Sequence, residues 1–208
     1  MKPNRVPRWF QRFFPHRKWE GTKDNQQVYL TFDDGPVPGI TDFVLGELAK
    51  RDQKATFFMV GDNVRKHALL AQEVLHAGHQ IGNHTYHHLH GLKTSTKKYL
   101  DNVRECDGVL EEKLGKSTML FRPPYGMLSP WQAGTLHKEK EIVMWTLLTG
   151  DYDRFIDPKV VLKDAKSMTS EGSIIVFHDQ QKTDGHLQKI LPGYLDFLKG
   201  EGFKTGIL

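Results

Sequence analysis

The chain has 208 residues, 38% of them apolar and 26% charged, with a net charge of +4. That length suits one domain with a sizeable core, and the balance excludes a disordered chain. No apolar run is long enough for a membrane-spanning helix, and a lone cysteine, Cys106, excludes an internal disulfide framework or a cysteine-rich zinc site.

The charge is uneven. Residues 1–27 hold seven Lys/Arg against Glu20 and Asp24, while the remainder carries 22 basic and 23 acidic side chains. The body is therefore neutral, which argues against a nucleic-acid-binding surface. We divide the chain into a basic aromatic arm, residues 1–26, and one domain, residues 27–208. The arm has no apolar run of signal-peptide length and no small-residue cleavage site. A cytoplasmic or membrane-peripheral location is expected on that basis. Trp9, Phe10, Phe13, Phe14 and Trp19 interleave with its cations. Packing of these rings on the domain is the expected reading; association of residues 1–20 with an anionic membrane is the alternative.

Along the domain, short apolar runs alternate with runs of helical period. Residues 28–32 read as a strand, and Ile40, Phe43, Val44 and Leu48 follow at helical spacing. A strand at 55–60, a helix at 63–76 closed by Ala77-Gly78 and a short strand at 80–83 come next. The long helix, residues 94–114, places Tyr99, Val103, Cys106 and Leu110 on one face, so Cys106 is expected in the core. Strands follow at 119–122, 141–145, 172–177 and 203–207, with helices at 129–138, 157–170 and 186–199. Seven strands alternating with six helices imply a parallel sheet, either closed as a barrel or open and doubly wound.

Polar clusters fall where strands end: Thr31–Pro36, Asn83–His88, Arg122–Gly126, Thr149–Asp153 and His178-Asp179. In parallel α/β folds these ends converge on one face. Adjacent carboxylates at Asp33 and Asp34 repel unless a cation relieves them, and a strand end lets them diverge into a metal ligand and a free base. His84 and His88 lie four apart; a helical turn there would align both rings, with His87 a rival partner for His84. Two imidazoles and a carboxylate leave positions open for water and substrate, the pattern of a catalytic metal site. Arg122 precedes two prolines, so the next free backbone N–H is that of Tyr125, a candidate oxyanion donor. His178 closes an apolar strand as a candidate general acid.

Taken together, TFDDGP at 31–36, HTYHH at 84–88, RPPYG at 122–126, Gly-Asp-Tyr at 150–152 and IIVFHD at 174–179 resemble the NodB-homology polysaccharide deacetylases, carbohydrate esterase family 4. The resemblance spans about residues 27–208. It implies an α/β fold, a distorted (β/α)7 barrel in a single domain. It also implies a divalent metal, usually zinc with Co2+ or Ni2+ as substitutes, and removal of acetyl groups from an acetylated glycan such as a chito-oligosaccharide or a peptidoglycan-type polymer. On it, Asp33 matches the catalytic base and Asp34, His84 and His88 the metal ligands. Arg122 matches the partner of the base, Tyr125 the oxyanion donor, His178 the acid and Asp151 the aspartate that orients it. Val176 stands where the family has a leucine lining the acetyl pocket, Tyr152 where it often has Trp, and Thr146 where Asp is common. These departures bear on substrate choice. A non-catalytic, metal-keeping glycan-binding member and an amidase for a small non-sugar amide are the competing readings. Oligomeric state is not legible in the sequence.

Overall fold

A computed structural model describes residues 4–208. Its strands are β1 (Asn4–Arg5), β2 (Arg17–Lys18), β3 (Gln27–Asp33), β4 (Ala55–Met59), β5 (Gln80–Asn83), β6 (Leu120–Phe121), β7 (Glu141–Val143), β8 (Leu147–Leu148), β9 (Ile174–His178) and β10 (Lys204–Thr205). The helices are α1 (Arg8–Gln11), α2 (Ile40–Ala49), α3 (Gly61–Lys66), α4 (Ala68–His76), α5 (Thr96–Leu114), α6 (Pro130–Leu136), α7 (Pro158–Met168) and α8 (Leu187–Gly200). The sheet runs β1-β8-β9-β3-β4-β5-β6-β7-β2, with β10 beside the start of β3. The named strands all pair parallel except β1 with β8, and an isolated antiparallel bridge joins Glu20 to Ser173.

The seven strands from β8 to β7 form the distorted (β/α)7 barrel, curled but unpaired at a seam between β7 and β8. The expected strand at 141–145 is in fact the two sides of that seam. Met144 N–H still pairs with Lys18 O at 2.7 Å, whereas Thr146 N–H already pairs with Ile174 O at 3.0 Å. The chain thus crosses the seam within two residues and needs no helix. The expected helix at 63–76 breaks at His67, whose φ of −129° and ψ of 47° leave the helical region. At the C-terminus only Lys204 and Thr205 pair as strand.

Alternation along β3 sorts its side chains. Val28, Leu30 and Phe32 join the large core shared with α2 and α8, while Tyr29 belongs to a smaller cluster with Phe58, Leu120, Val143 and Ile174. The α5 face predicted from period is buried, Cys106 included, and burial pushes the Cys106 thiol far above its ordinary range. α6 opens with a capping box, Ser129 N–H to Gln132 Oε1 at 2.9 Å and Gln132 N–H to Ser129 Oγ at 3.2 Å. Among the described residues, no helix is long and apolar enough to cross a membrane.

Only part of the arm packs as expected. Trp19 and Phe14 join the cluster of Tyr99, Phe121 and Ile142, but Trp9 and Phe13 remain 66% and 70% exposed.

Candidate metal and catalytic site

The strand register brings the chemistry together. Asp33 and His178 are directly paired positions on β3 and β9, both at the C-terminal ends. Asp34 follows with φ at +81°, a left-handed conformation that turns its side chain away from that of Asp33. Asn63 Nδ2 donates to Asp34 O at 2.8 Å, and Asp34 N–H donates to Phe58 O at 3.2 Å. The turn is therefore fixed from two sides.

His84 Nε2 lies 3.3 Å and His88 Nε2 2.9 Å from Asp34 Oδ1, and the three ligand atoms fall within 4.8 Å of one another. The segment after β5 is not helical, so a helical turn is not what aligns the rings. Thr85 and His88 adopt φ of +63° and +53°, and these two left-handed residues fold the loop so that both rings converge. His87 instead turns away, its Nδ1 3.0 Å from Asn102 Nδ2. His84 Nδ1 sits 2.7 Å from Arg122 O. A carbonyl only accepts, so Nδ1 carries the proton and the lone pair of the neutral ring is on Nε2. That lone pair faces a carboxylate oxygen which is sealed from solvent and accepts no well-formed hydrogen bond. Two acceptors aimed at each other need a cation between them. The donor set, two imidazole nitrogens and one carboxylate, fits a divalent metal. Burial alone would raise the Asp34 carboxyl, but positive charge beside it, on the two imidazoles when they are protonated and to a smaller extent on His178, holds it well below the usual carboxylate range.

Two buried carboxylate–cation pairs flank this group. Arg122, fully buried, places NH1 2.7 Å from Asp33 Oδ1 and 2.6 Å from Thr31 Oγ1, with NH2 2.9 Å from Met144 O. Its guanidinium lies over the Phe58 ring at 4.1 Å. On the other flank, His178 Nδ1 is 2.8 Å from Asp151 Oδ1, and His178 N–H donates to Asp151 Oδ2 at 2.7 Å. Burial works against a charged His178, but Asp151, then Asp34 and Asp33, lift it to about 9. The Tyr152 ring stands edge-on to His178 at 5.0 Å. Val176, two residues earlier on β9, shares the His178 face and is buried. Tyr125, left-handed at φ +60°, sets its ring 4.8 Å from that of His88 and 5.1 Å from that of His90.

Every site residue expected from sequence thus lies at or beside the ends of β3, β5, β6, β8 and β9. Three supporting residues were missed. Thr31 accepts from Arg122 and donates to Ile175 O at 2.8 Å. Thr149 Oγ1 shares its one proton between Val176 O at 2.7 Å and Asp151 Oδ1 at 3.1 Å. Asp179 is buried, accepting from Gly35 N–H at 3.1 Å and Thr41 Oγ1 at 2.6 Å. A Cβ at Gly35 would lie 2.1 Å from Asp179 Oδ2, which is why glycine follows the two carboxylates. The alternation of β3 was signal enough for Thr31, two residues before Asp33; Thr149 and Asp179 fell in the polar strand-end clusters at 149–153 and 178–179, but nothing local gave their partners.

A family profile described as "Polysaccharide deacetylase" matches residues 20–141. The chain belongs to the polysaccharide deacetylase family. A peptidoglycan-N-acetylglucosamine deacetylase of Bacillus cereus is 34% identical over 197 residues, covering 89% of this chain and 88% of that protein. The peptidoglycan-N-acetylglucosamine deacetylase PgdA of Listeria monocytogenes is 30% identical over 182 residues, 88% of this chain but only 38% of its own length. Among solved structures, the Bc1960 peptidoglycan N-acetylglucosamine deacetylase in complex with 4-naphthalen-1-yl-N-oxidanyl-benzamide superposes with a TM-score of 0.86 at 28% identity, covering 98% of this chain and 95% of the other.

Proposed function

We propose that the protein is a metal-dependent hydrolase that removes N-acetyl groups from a glycan of peptidoglycan or chito-oligosaccharide type. The observation that carries this is the pairing of Asp33 with His178 across one strand register, each held by its own buried partner, on either side of Asp34, His84 and His88. The names of the relatives point to an N-acetylglucosamine unit as the substrate.

Asp34, His84 and His88 would hold the divalent cation, with zinc the first choice for this donor set. Bound there, it would supply Lewis-acid polarisation of the acyl oxygen and of an incoming water. Asp33 accepts the proton of the attacking water, while Arg122 pins its Oδ1 and so fixes its aim. The Tyr125 N–H, the first free donor after two prolines, faces the oxygen that becomes negative. His178 enters the reaction charged at neutral pH. Asp151 holds its Nδ1–H, so the proton on Nε2 goes to the leaving nitrogen as the C–N bond breaks. Val176 and Tyr152 border the place of the acetyl methyl. The products are acetate and a free amine. Both proton-handling groups carry the partners that a working enzyme requires, which argues against a binding-only role.

The test is acetate release from acetylated chito-oligosaccharides and from purified peptidoglycan, after chelation and after readdition of Zn2+ or Co2+. Release that chelation abolishes and metal restores is the expected result. No release from either glycan by the metal-loaded protein would overturn the reading.

A further inference from the structure

The face opposite the proposed catalytic site carries an aromatic and cationic surface that deacetylation does not use. β1 runs antiparallel to β8, and Val6 N–H pairs with Thr146 O, so the chain leaves β1 toward the N-terminal ends of the barrel strands. It returns along β2 parallel to β7, entering from that same end. Arg5 NH1 donates to Met168 O at 2.8 Å, at the C-terminal end of α7, which also belongs to this pole. Residues 7–16 therefore hang beneath the floor of the barrel.

This segment is built in two layers. Phe14 and the buried Trp19 form the inner one, their rings 6.3 Å apart. Phe10 rests on both at 5.2 and 6.1 Å and is 39% exposed. The outer layer is Trp9 and Phe13, 6.4 Å apart and exposed. Arg8 and Arg12 are exposed alongside them, and Arg17 lies over the Phe14 ring at 4.3 Å. Residues 1–19 contain no acidic side chain, and Glu20 sits to one side, held by Arg8 and Lys23.

We propose that this floor docks on an anionic lipid bilayer, with Trp9, Phe10 and Phe13 entering the headgroup–acyl boundary and Arg8 and Arg12 meeting the lipid phosphates. Exposed rings on a rigid base, ringed by cations, match an interfacial anchor. Charge complementarity decides the occupant. A second copy docked on this floor by a two-fold axis would bring two cationic patches together, which like-charge repulsion disfavours. Each cation near an anionic surface adds about fivefold to binding, so attachment is reversible and sensitive to salt. The geometry has a directional outcome: the strand ends bearing Asp33 and His178 face away from the bilayer.

Sedimentation with vesicles of phosphatidylglycerol and phosphatidylcholine in equal parts, against phosphatidylcholine alone, tests this. The full chain should partition onto the anionic vesicles and be released by salt. A Trp9→Ser/Phe13→Ser variant should lose about tenfold or more in partitioning, and Arg8→Gln/Arg12→Gln should lose most of the salt dependence. All these side chains are exposed, so melting temperature and acetate release should be unchanged. Equal partitioning onto the two vesicle types would overturn the proposal. So would full vesicle binding by the Trp9/Phe13 variant, or a concentration-dependent dimer that this variant loses while the parent ignores vesicles.

Discussion

The two faces of β3 meet different surroundings. Outward, Val28, Leu30 and Phe32 enter an apolar core, with Phe32 stacked on Phe57 at 5.1 Å and on Phe177 at 5.9 Å. Inward, Thr31 and Asp33 meet the buried guanidinium of Arg122. The outer face stabilises by area removed from water, on the order of 1.5–3 kcal/mol for each large side chain. The inner face spends that stability, because a buried ion pair pays a desolvation cost that its own attraction offsets only in part. One strand, read at period two, thus separates folding from chemistry, and each function can be damaged alone.

The largest effect is expected at the metal group. Asp34→Asn and His88→Ala should lose bound metal and, with it, nearly all acetate release, whereas His87→Ala should keep both; elemental analysis and an activity assay decide. A metal-replete Asp34→Asn protein would mean that the two carboxylates have exchanged roles.

Next comes the inner face without the metal. Asp33→Asn and His178→Ala should each lower turnover by about 10²–10⁴ while metal content stays near the parent's. Loss of metal on Asp33→Asn would erase the division of labour between neighbours.

A matched pair then separates the two faces of the strand. Phe32→Ala should lower stability by about 3–5 kcal/mol in denaturant titration with turnover per folded molecule unchanged. Thr31→Val should cost less, about 1–3 kcal/mol, yet slow turnover, since Arg122 loses an acceptor and Asp33 its fixed aim. The comparison fails if Phe32→Ala slows the chemistry and Thr31→Val does not.

The smallest effect is in pH. His178 is raised to about 9, so its favourable pairing with Asp151 is full below the ordinary imidazole value of about 6.5 and fades as pH rises through the folded value. In the proposed role of acid it must be protonated, so the rate should decline on the alkaline side. His178→Ala should remove that alkaline limb; a limb that survives would place the acid elsewhere.

Much of this organisation was legible in the sequence because it is local. Asp33, Asp34 and Gly35 occupy a strand end whose period marks inside and outside, and the α5 face follows from spacing alone. What was not legible depends on distant partners. The two-residue strands β1 and β2 exist only because the edges of β8 and β7 accept them. The motif resemblance picked His88 over His87, but its physical reason is not helical spacing. It comes from two left-handed residues, Thr85 and His88, for which no glycine gave notice. The break at His67 has no proline or glycine beside it either.

The arm's two short strands carry one more consequence, for handling the protein. A curled sheet with a seam has two free edges, and β1 and β2 cover both of them from a single segment. A truncation starting at residue 27 would uncover the backbone N–H and C=O groups of β7 and β8 together, on neighbouring strands. Unpaired edges of that kind recruit strands from other molecules. Such a truncation should therefore show itself first as turbidity and light scattering on concentration, before any loss of helical signal.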